Sequence, residues 1–276
     1  MEESRKTRVA LVQLASPDDE APADRIARVE RLLRAHDGAD LYVLPEIWSA
    51  GYFSFGDYVS RAETLDGPTI SMCQRVARDL RAAIHVGSIV ERDAAGTLHN
   101  TTALIDAAGR IAQISRKIHV FGYHSLEAEL LTPGDTLSVV PSPAGALGSI
   151  TCYDLRFPGL WLELSNRGAE TVAIPAAWPA ARREHWRILT QARAVEHQMF
   201  VIAVNGCGVQ HGVELGGHSR IVDPSGVVLA ECGELEEVRI VEIDPSLVAS
   251  VRAEFPVIGD RLADYTSLSP ASGAEA

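Results

Sequence analysis

The sequence predicts an α/β protein built as a four-layer α-β-β-α sandwich with an internal pseudo-twofold repeat. Three observations lead there. Short apolar runs alternate with helical patterns along the chain, the order of these elements occurs twice, and the local sequence around equivalent strands matches between the halves.

Taken in order, Val9 to Leu14 is a buried strand, and Ile26, Val29, Leu32 and Leu33 form one helical face closed by Gly38. Leu41 to Leu44 is a second strand. Met72, Val76 and Leu80 mark a second helix, and strands at Ile84 to Val90 and Thr101 to Ile105 precede a turn at Asp106-Ala-Ala-Gly109. The second half repeats this order. Its strands lie near Leu147 to Thr151, Thr171 to Ile174 and Phe200 to Val204, and its helices near Gly159 to Asn166 and Glu184 to His197.

The segment from Gly38 to Trp48 aligns with that from Gly168 to Trp178, and the Asp106 turn aligns with Asp223-Pro-Ser-Gly226. This alignment sets Glu46 opposite Ala176. A residue needed for the architecture would occur in both halves, so a carboxylate present in one half points to chemistry.

The 276 residues, 46% of them apolar, suffice for one large domain, expected over residues 1–255, with an extended or partly disordered tail from Pro256 to Ala276. In that tail Tyr265 and Leu268 are the large apolar residues near the end, and packing on a neighbouring subunit is the alternative to disorder. A formal charge of -12 opposes nucleic-acid binding, which rests on clustered Lys and Arg. The N-terminal apolar run is too short for a signal sequence or membrane span. A cytoplasmic protein with small-molecule partners or copies of itself is expected. Cys73, Cys152, Cys207 and Cys232 form neither a disulfide framework nor a CxxC pair, so they are read as free thiols.

Cys152 follows an apolar strand, and Asp154 with Pro158 reads as the opening of the next helix. At such a junction the backbone N–H groups and the helix N-terminus favour a thiolate. The competing reading is a buried structural cysteine. Glu46 ends an otherwise apolar strand, where open α/β sheets present their sites, and could serve as a base with a desolvation-raised pKa. Its alternative is a solvated strand end. Lys117 follows the alternating run from Arg110 to Arg116; beside a thiol it would favour the thiolate and hold an oxyanion. A solvated lysine is the alternative, and Arg116 is an adjacent competitor.

In order and spacing, Leu44-Pro-Glu46, Arg116-Lys-Ile-His119 and Thr151-Cys-Tyr-Asp-Leu-Arg-Phe-Pro158 resemble the Glu, Lys and Cys signature segments of the nitrilase (carbon-nitrogen hydrolase) superfamily. The resemblance runs from Val9 to about Ile243 and includes Leu131-Thr-Pro-Gly134, Ala192-Arg-Ala-Val-Glu196, Val204-Asn205 and the segment from Gly217 to Gly226. It implies the same sandwich fold, pairing into homodimers, and a cofactor-free, metal-free hydrolysis of small linear amides. By the same resemblance Glu127 matches a second glutamate of the family. Glu46 then deprotonates Cys152, the thiolate attacks the carbonyl, and Lys117 with the backbone N–H of Tyr153 receives the oxyanion. Ammonia leaves, and water oriented by Glu46 or Glu127 hydrolyses the thioester.

The segment around Cys152 looks most like the omega-amidase and deaminated-glutathione amidase branch, whose substrates carry a remote carboxylate. Arg156, with Arg182 or Arg183, could receive it, and Trp178 is expected to line the pocket. A structural pair of Arg156 with Asp154 or Glu163 is the alternative. Gly159, Ala176-Ala-Trp178-Pro and Gly122-Tyr-His-Ser-Leu126 depart from the usual forms of that branch. Carbamoylases and acyl transferases of the superfamily remain alternatives. The nine histidines form no HExxH or HxH pattern for a metal-dependent rival. A Cys-His hydrolase would use His197 or His218 as base, and a scaffold protein would leave the three positions unused.

Overall fold

The computed structural model describes residues 6–262 and 268. Two sheets pair face to face, and both follow the same pattern of connections. In the first, Thr7–Gln13, Leu41–Val43 and Ala83–His85 run parallel, then Leu98–Ile105 and Ile111–Arg116 follow antiparallel. In the second, Gly145–Ser149, Thr171–Ala176 and Phe200–Asn205 run parallel, then Arg220–Val222 and Val228–Glu231 follow antiparallel. The expected turns at Asp106 and Asp223 join corresponding antiparallel pairs. An antiparallel edge strand completes each sheet, Glu237–Ile243 beside Thr7–Gln13 and Val139–Ser142 beside Gly145–Ser149.

The four layers follow from the period-two alternation of strand side chains. Ala10, Val12, Tyr42 and Ile84 face outward onto Val29, Leu33, Met72 and Val76 of helices Pro22–Ala35 and Pro68–Leu80. Their neighbours Val9, Leu11, Leu41 and Val43 face inward and meet Leu147, Ala173, Phe200 and Ile202 of the second sheet. On the far side Val172, Ile174, Val201 and Ala203 pack on Trp161, Leu164, Trp186 and Ala194 of helices Pro158–Asn166 and Arg183–His197. Strands buried on both faces need the continuous apolar runs seen in the sequence.

Three local readings differ. The strand expected over Ile84 to Val90 is two strands, Ala83–His85 and Ile89–Arg92, split at Gly87. There φ is +73°, and a Cβ would stand 1.9 Å from the Pro45 carbonyl oxygen, so no other residue fits without backbone movement. The segment after Cys152 is a 3-10 turn, Cys152–Arg156, and the α-helix begins only at Pro158, whose fixed φ suits a first helical position. In the tail, Val257–Asp260 forms a 3-10 turn and Leu268 is exposed, while Tyr265 and most of the expected extended segment lie outside the described residues. Among the described residues no helix is long and apolar enough to cross a membrane.

Candidate active site

The two sequence-related strand ends meet. The Glu46 N–H donates to the Ala176 carbonyl at 3.4 Å, and the Ala177 N–H returns a bond to Glu46 Oε2 at 2.9 Å. The repeat thus brings the one carboxylate that breaks it against its own counterpart. The break at Gly87 serves this corner: the Ser88 N–H donates to the Pro45 carbonyl, and Ser88 Oγ accepts the Ile47 N–H at 3.0 Å. Ile47 itself has φ +43°, a left-handed value that a β-branched residue adopts only when its surroundings impose it.

Lys117 points the opposite way from Arg116, as neighbours along an extended chain do. Arg116 pairs with Glu91 at 2.8 Å, which removes it as a competitor, whereas Lys117 is buried. Lys117 Nζ donates to Glu46 Oε1 at 2.9 Å and to Glu127 Oε1 and Oε2, both at 2.8 Å. Glu127, fully buried in the single helical turn Glu127–Leu130, also accepts from Tyr52 Oη at 2.9 Å and the Phe121 N–H at 2.8 Å. Asn100 Nδ2 bridges the two carboxylates, at 2.8 Å to Glu46 Oε1 and 2.9 Å to Glu127 Oε1. Burial pushes the Glu46 carboxyl above its usual range although Lys117 pulls the other way. Burial would lower the Lys117 ammonium, but Glu127 and Glu46 outweigh it and hold it firmly charged.

Cys152 is buried, with φ +45°, so the nucleophile candidate sits on a strained backbone at the first position of its turn. Glu46, Lys117 and the Ala177 N–H are the polar groups that act on its thiol. Burial, reinforced by the Glu46 charge, pushes this thiol well above the ordinary range, and Lys117 offsets only part of the rise. The expected thiolate at a helix N-terminus is therefore corrected. The shift runs toward the neutral thiol, because burial opposes the thiolate and the Glu46 charge adds to it, while no α-helix starts at Cys152.

Asp154 holds the turn in place. Its carboxylate accepts the Thr151 N–H at 3.0 Å, and its other oxygen accepts the His119 N–H at 2.8 Å, with His119 Nδ1 also at 2.8 Å. His119 stacks on Phe157 with ring centroids 3.6 Å apart. The Lys117 and Cys152 segments are thus tied through a buried acid that the sequence reading used as a helix-start signal and as an alternative partner of Arg156. Tyr153, whose N–H follows the thiol, packs its ring between Phe121 and Phe157. The Cys-His reading fails on geometry: His218 binds Glu231 at 2.7 Å and His197 lies against Trp161, while the carboxylate that acts on the thiol is Glu46.

Arg156 closes the 3-10 turn, ahead of the α-helix that starts at Pro158. Its guanidinium lies 4.5 Å from the Trp178 ring centroid and 3.2 Å from His185 Nδ1. Among the described residues the alternative structural pairs are absent: Asp154 is held by His119 and Glu163 binds Arg167. Of the two arginines offered beside Arg156, Arg183 pairs with Glu234 at 2.9 Å, and Arg182 is the one whose charge acts on Arg156. Trp178 is buried, with Nε1 donating to the Arg182 carbonyl at 2.8 Å. Its backbone is clamped by Asn205, whose Oδ1 accepts the Trp178 N–H at 2.6 Å while Nδ2 donates to the Trp178 carbonyl at 3.1 Å.

A buried acid, a charged lysine and a thiol held in one cluster suit acyl transfer through sulfur. Comparison with known proteins agrees. The model of the carbon-nitrogen hydrolase family matches residues 8–253. A 2-oxoglutaramate amidase from Paenarthrobacter nicotinovorans is 39% identical over 263 residues, covering 93% of this chain and 90% of that protein. An omega-amidase of Saccharomyces cerevisiae is 31% identical, with 96% of each chain covered. A solved CN-hydrolase superfamily structure from Xanthomonas campestris, with an arsenic adduct in its active site, superposes with a TM-score of 0.86 at 29% identity. That match covers 94% of this chain and 98% of the other. Sequence, fold and neighbouring structures converge, and the chain belongs to the carbon-nitrogen hydrolase family.

Proposed function

We propose that this enzyme hydrolyses the terminal amide of a small dicarboxylic acid monoamide through a Cys152 thioester. The observation that carries the substrate class is Arg156, a half-buried guanidinium stacked over Trp178, four residues from the thiol, with no carboxylate among the charged neighbours it has in the described residues. A cation left without a counter-charge beside a nucleophile is a receptor for an anionic substrate group. The names of the amidases from Paenarthrobacter and yeast support the same class.

In the proposed reaction the Glu46 carboxylate takes the thiol proton as Cys152 Sγ attacks the amide carbonyl. The tetrahedral oxyanion is received by Lys117 Nζ and the Tyr153 N–H. Glu46 passes its proton to the leaving nitrogen, the C–N bond breaks, and ammonia departs. Water, oriented by Glu46 or Glu127 and deprotonated by Glu46, attacks the thioester; the carboxylic acid product leaves and the thiol regains its proton. Each step uses groups of the chain, the substrate and water.

Arg156→Ala should raise KM for omega-amides of dicarboxylic acids by about ten- to a hundredfold, the worth of one charge-assisted hydrogen bond. Neutral amides of equal length should be spared. Arg183→Ala should leave both substrates unchanged, because Glu234 already engages that side chain. Steady-state kinetics on the paired substrates check this. Equal loss on both, or a wild-type preference for neutral amides, would dismiss the carboxylate reading.

We also infer a cytoplasmic homodimer. All four cysteines are free, and Ile188 and Val195 stand exposed on the outer helix Arg183–His197. A monomer mass in light scattering would remove the dimer.

A further inference from the structure

An ammonium has three protons, and in the resting site all three of Lys117 are spoken for by Glu46 Oε1, Glu127 Oε1 and Glu127 Oε2. None is left for an oxyanion. To reach the reacting carbonyl the lysine must release a carboxylate oxygen, and a buried acceptor stripped of its donor carries a desolvation penalty. Every oxygen that Lys117 holds has a second donor. Glu127 Oε2 has Tyr52 Oη and the Phe121 N–H, and the two Oε1 atoms share the two protons of Asn100 Nδ2.

We propose that Asn100 is a positioning residue that keeps Glu46 and Glu127 satisfied while Lys117 turns from them to the oxyanion. Two further observations support the assignment. The Asn100 carbonyl accepts the Lys117 N–H at 2.8 Å, so one residue holds both the lysine backbone and the acids that hold its head. Asn100 Oδ1 is buried without a partner, and turning the amide over would set it against two carboxylates; the side chain is oriented for its nitrogen alone. The sequence of events follows. As Glu46 gains the thiol proton its attraction for Lys117 falls, at the moment when charge develops on the substrate oxygen. Asn100 stays on Glu46 Oε1, and Glu127, which holds Nζ through both carboxylate oxygens, keeps the ammonium in reach.

The inference rests on the catalytic roles proposed above, and its test separates the two. The charged and titratable groups facing Glu46 are Lys117, Glu127, Cys152, Tyr52 and Tyr58, and all are retained in the variants. Asn100→Ala should lower kcat by about ten- to a hundredfold, with KM within about threefold, since the donor matters only as the transition state forms. It should also move the acidic limb of kcat/KM upward by about one pH unit, because Glu46 without this donor takes a proton more readily. Asn100→Asp, nearly isosteric, should move the limb further up by adding a third acid. Asn100→Ser, with one donor, should fall between wild type and Asn100→Ala. An unmoved acidic limb in the folded Asp and Ser variants, or unchanged kcat in either, would overturn the proposal even if Asn100→Ala fails to fold. Undiminished turnover in Cys152→Ala would instead overturn the catalytic roles.

Discussion

A Cys152→Ala protein should lose ammonia release by on the order of 10⁴-fold or more, as expected when the nucleophile of a covalent route is removed. It should still fold, because the thiol carries no ion pair and Glu46 keeps Lys117, Asn100 and the Ala177 N–H. The other thiols offer no substitute. Burial pushes Cys207 and Cys232 each up to about 12, and Cys73 also rises by burial, lying in the core between the first sheet and its helices. Since burial raises Cys152 as well, pKa does not single it out; the adjacent base does. Iodoacetamide inactivation followed by mass spectrometry checks the assignment, with activity lost in proportion to modification at Cys152. Full activity after complete modification there, or complete loss in a folded Cys207→Ala protein, would sink it.

Lys117→Ala should cost about 10²- to 10³-fold in turnover through the lost oxyanion donor. Lys117→Arg should not restore it, since a broad planar fork replaces a point charge in a fully buried site already filled by two carboxylates. Stability should fall as well. Removing the cation leaves Glu46 and Glu127 buried without their counter-charge, a change worth about 3 to 5 kcal/mol at neutral pH. The sign of the pH dependence follows. Carboxyls raised above their unfolded values contribute most below the unfolded pKa, and that contribution is lost as pH rises through the folded pKa. Burial already raises Glu46, and loss of Lys117 raises it further. The melting deficit of Lys117→Ala should therefore be large near pH 8 and shrink toward pH 5. Thermal melts across that range check it; a pH-independent deficit, or near-wild-type turnover, would show that backbone groups carry the oxyanion.

The sandwich and the repeat were legible in the chain because they rest on local signals, and Glu46, Lys117 and Cys152 were singled out by local signals and family resemblance together. Alternation and turn residues marked the strands, and the mismatch of Glu46 with Ala176 marked a carboxylate without an architectural duty. Glu127 was reached only through family resemblance, since nothing local distinguishes it from Glu129, one residue beyond Ala128 and exposed. Asn100 passed without a role and Asp154 without its tie to His119, because a polar residue in an apolar setting reveals its purpose only when its partners arrive from distant segments. Asn100 meets Glu46, 54 residues away, and Asp154 meets His119, 35 residues away.

By itself the sequence determined the layers, their pairing into two equivalent halves and the chemical types at the centre, all of which depend on periodicity and on composition at strand ends. Tertiary structure decided the rest. It placed a 3-10 turn after Cys152 instead of a helix, raised the thiol by burial beside a carboxylate, paired Arg183 with Glu234 and set Arg182 near Arg156. The reason is physical: hydrogen-bond partners and desolvation are properties of the neighbourhood, and here the neighbours come from strand ends that meet only when the two sheets pack.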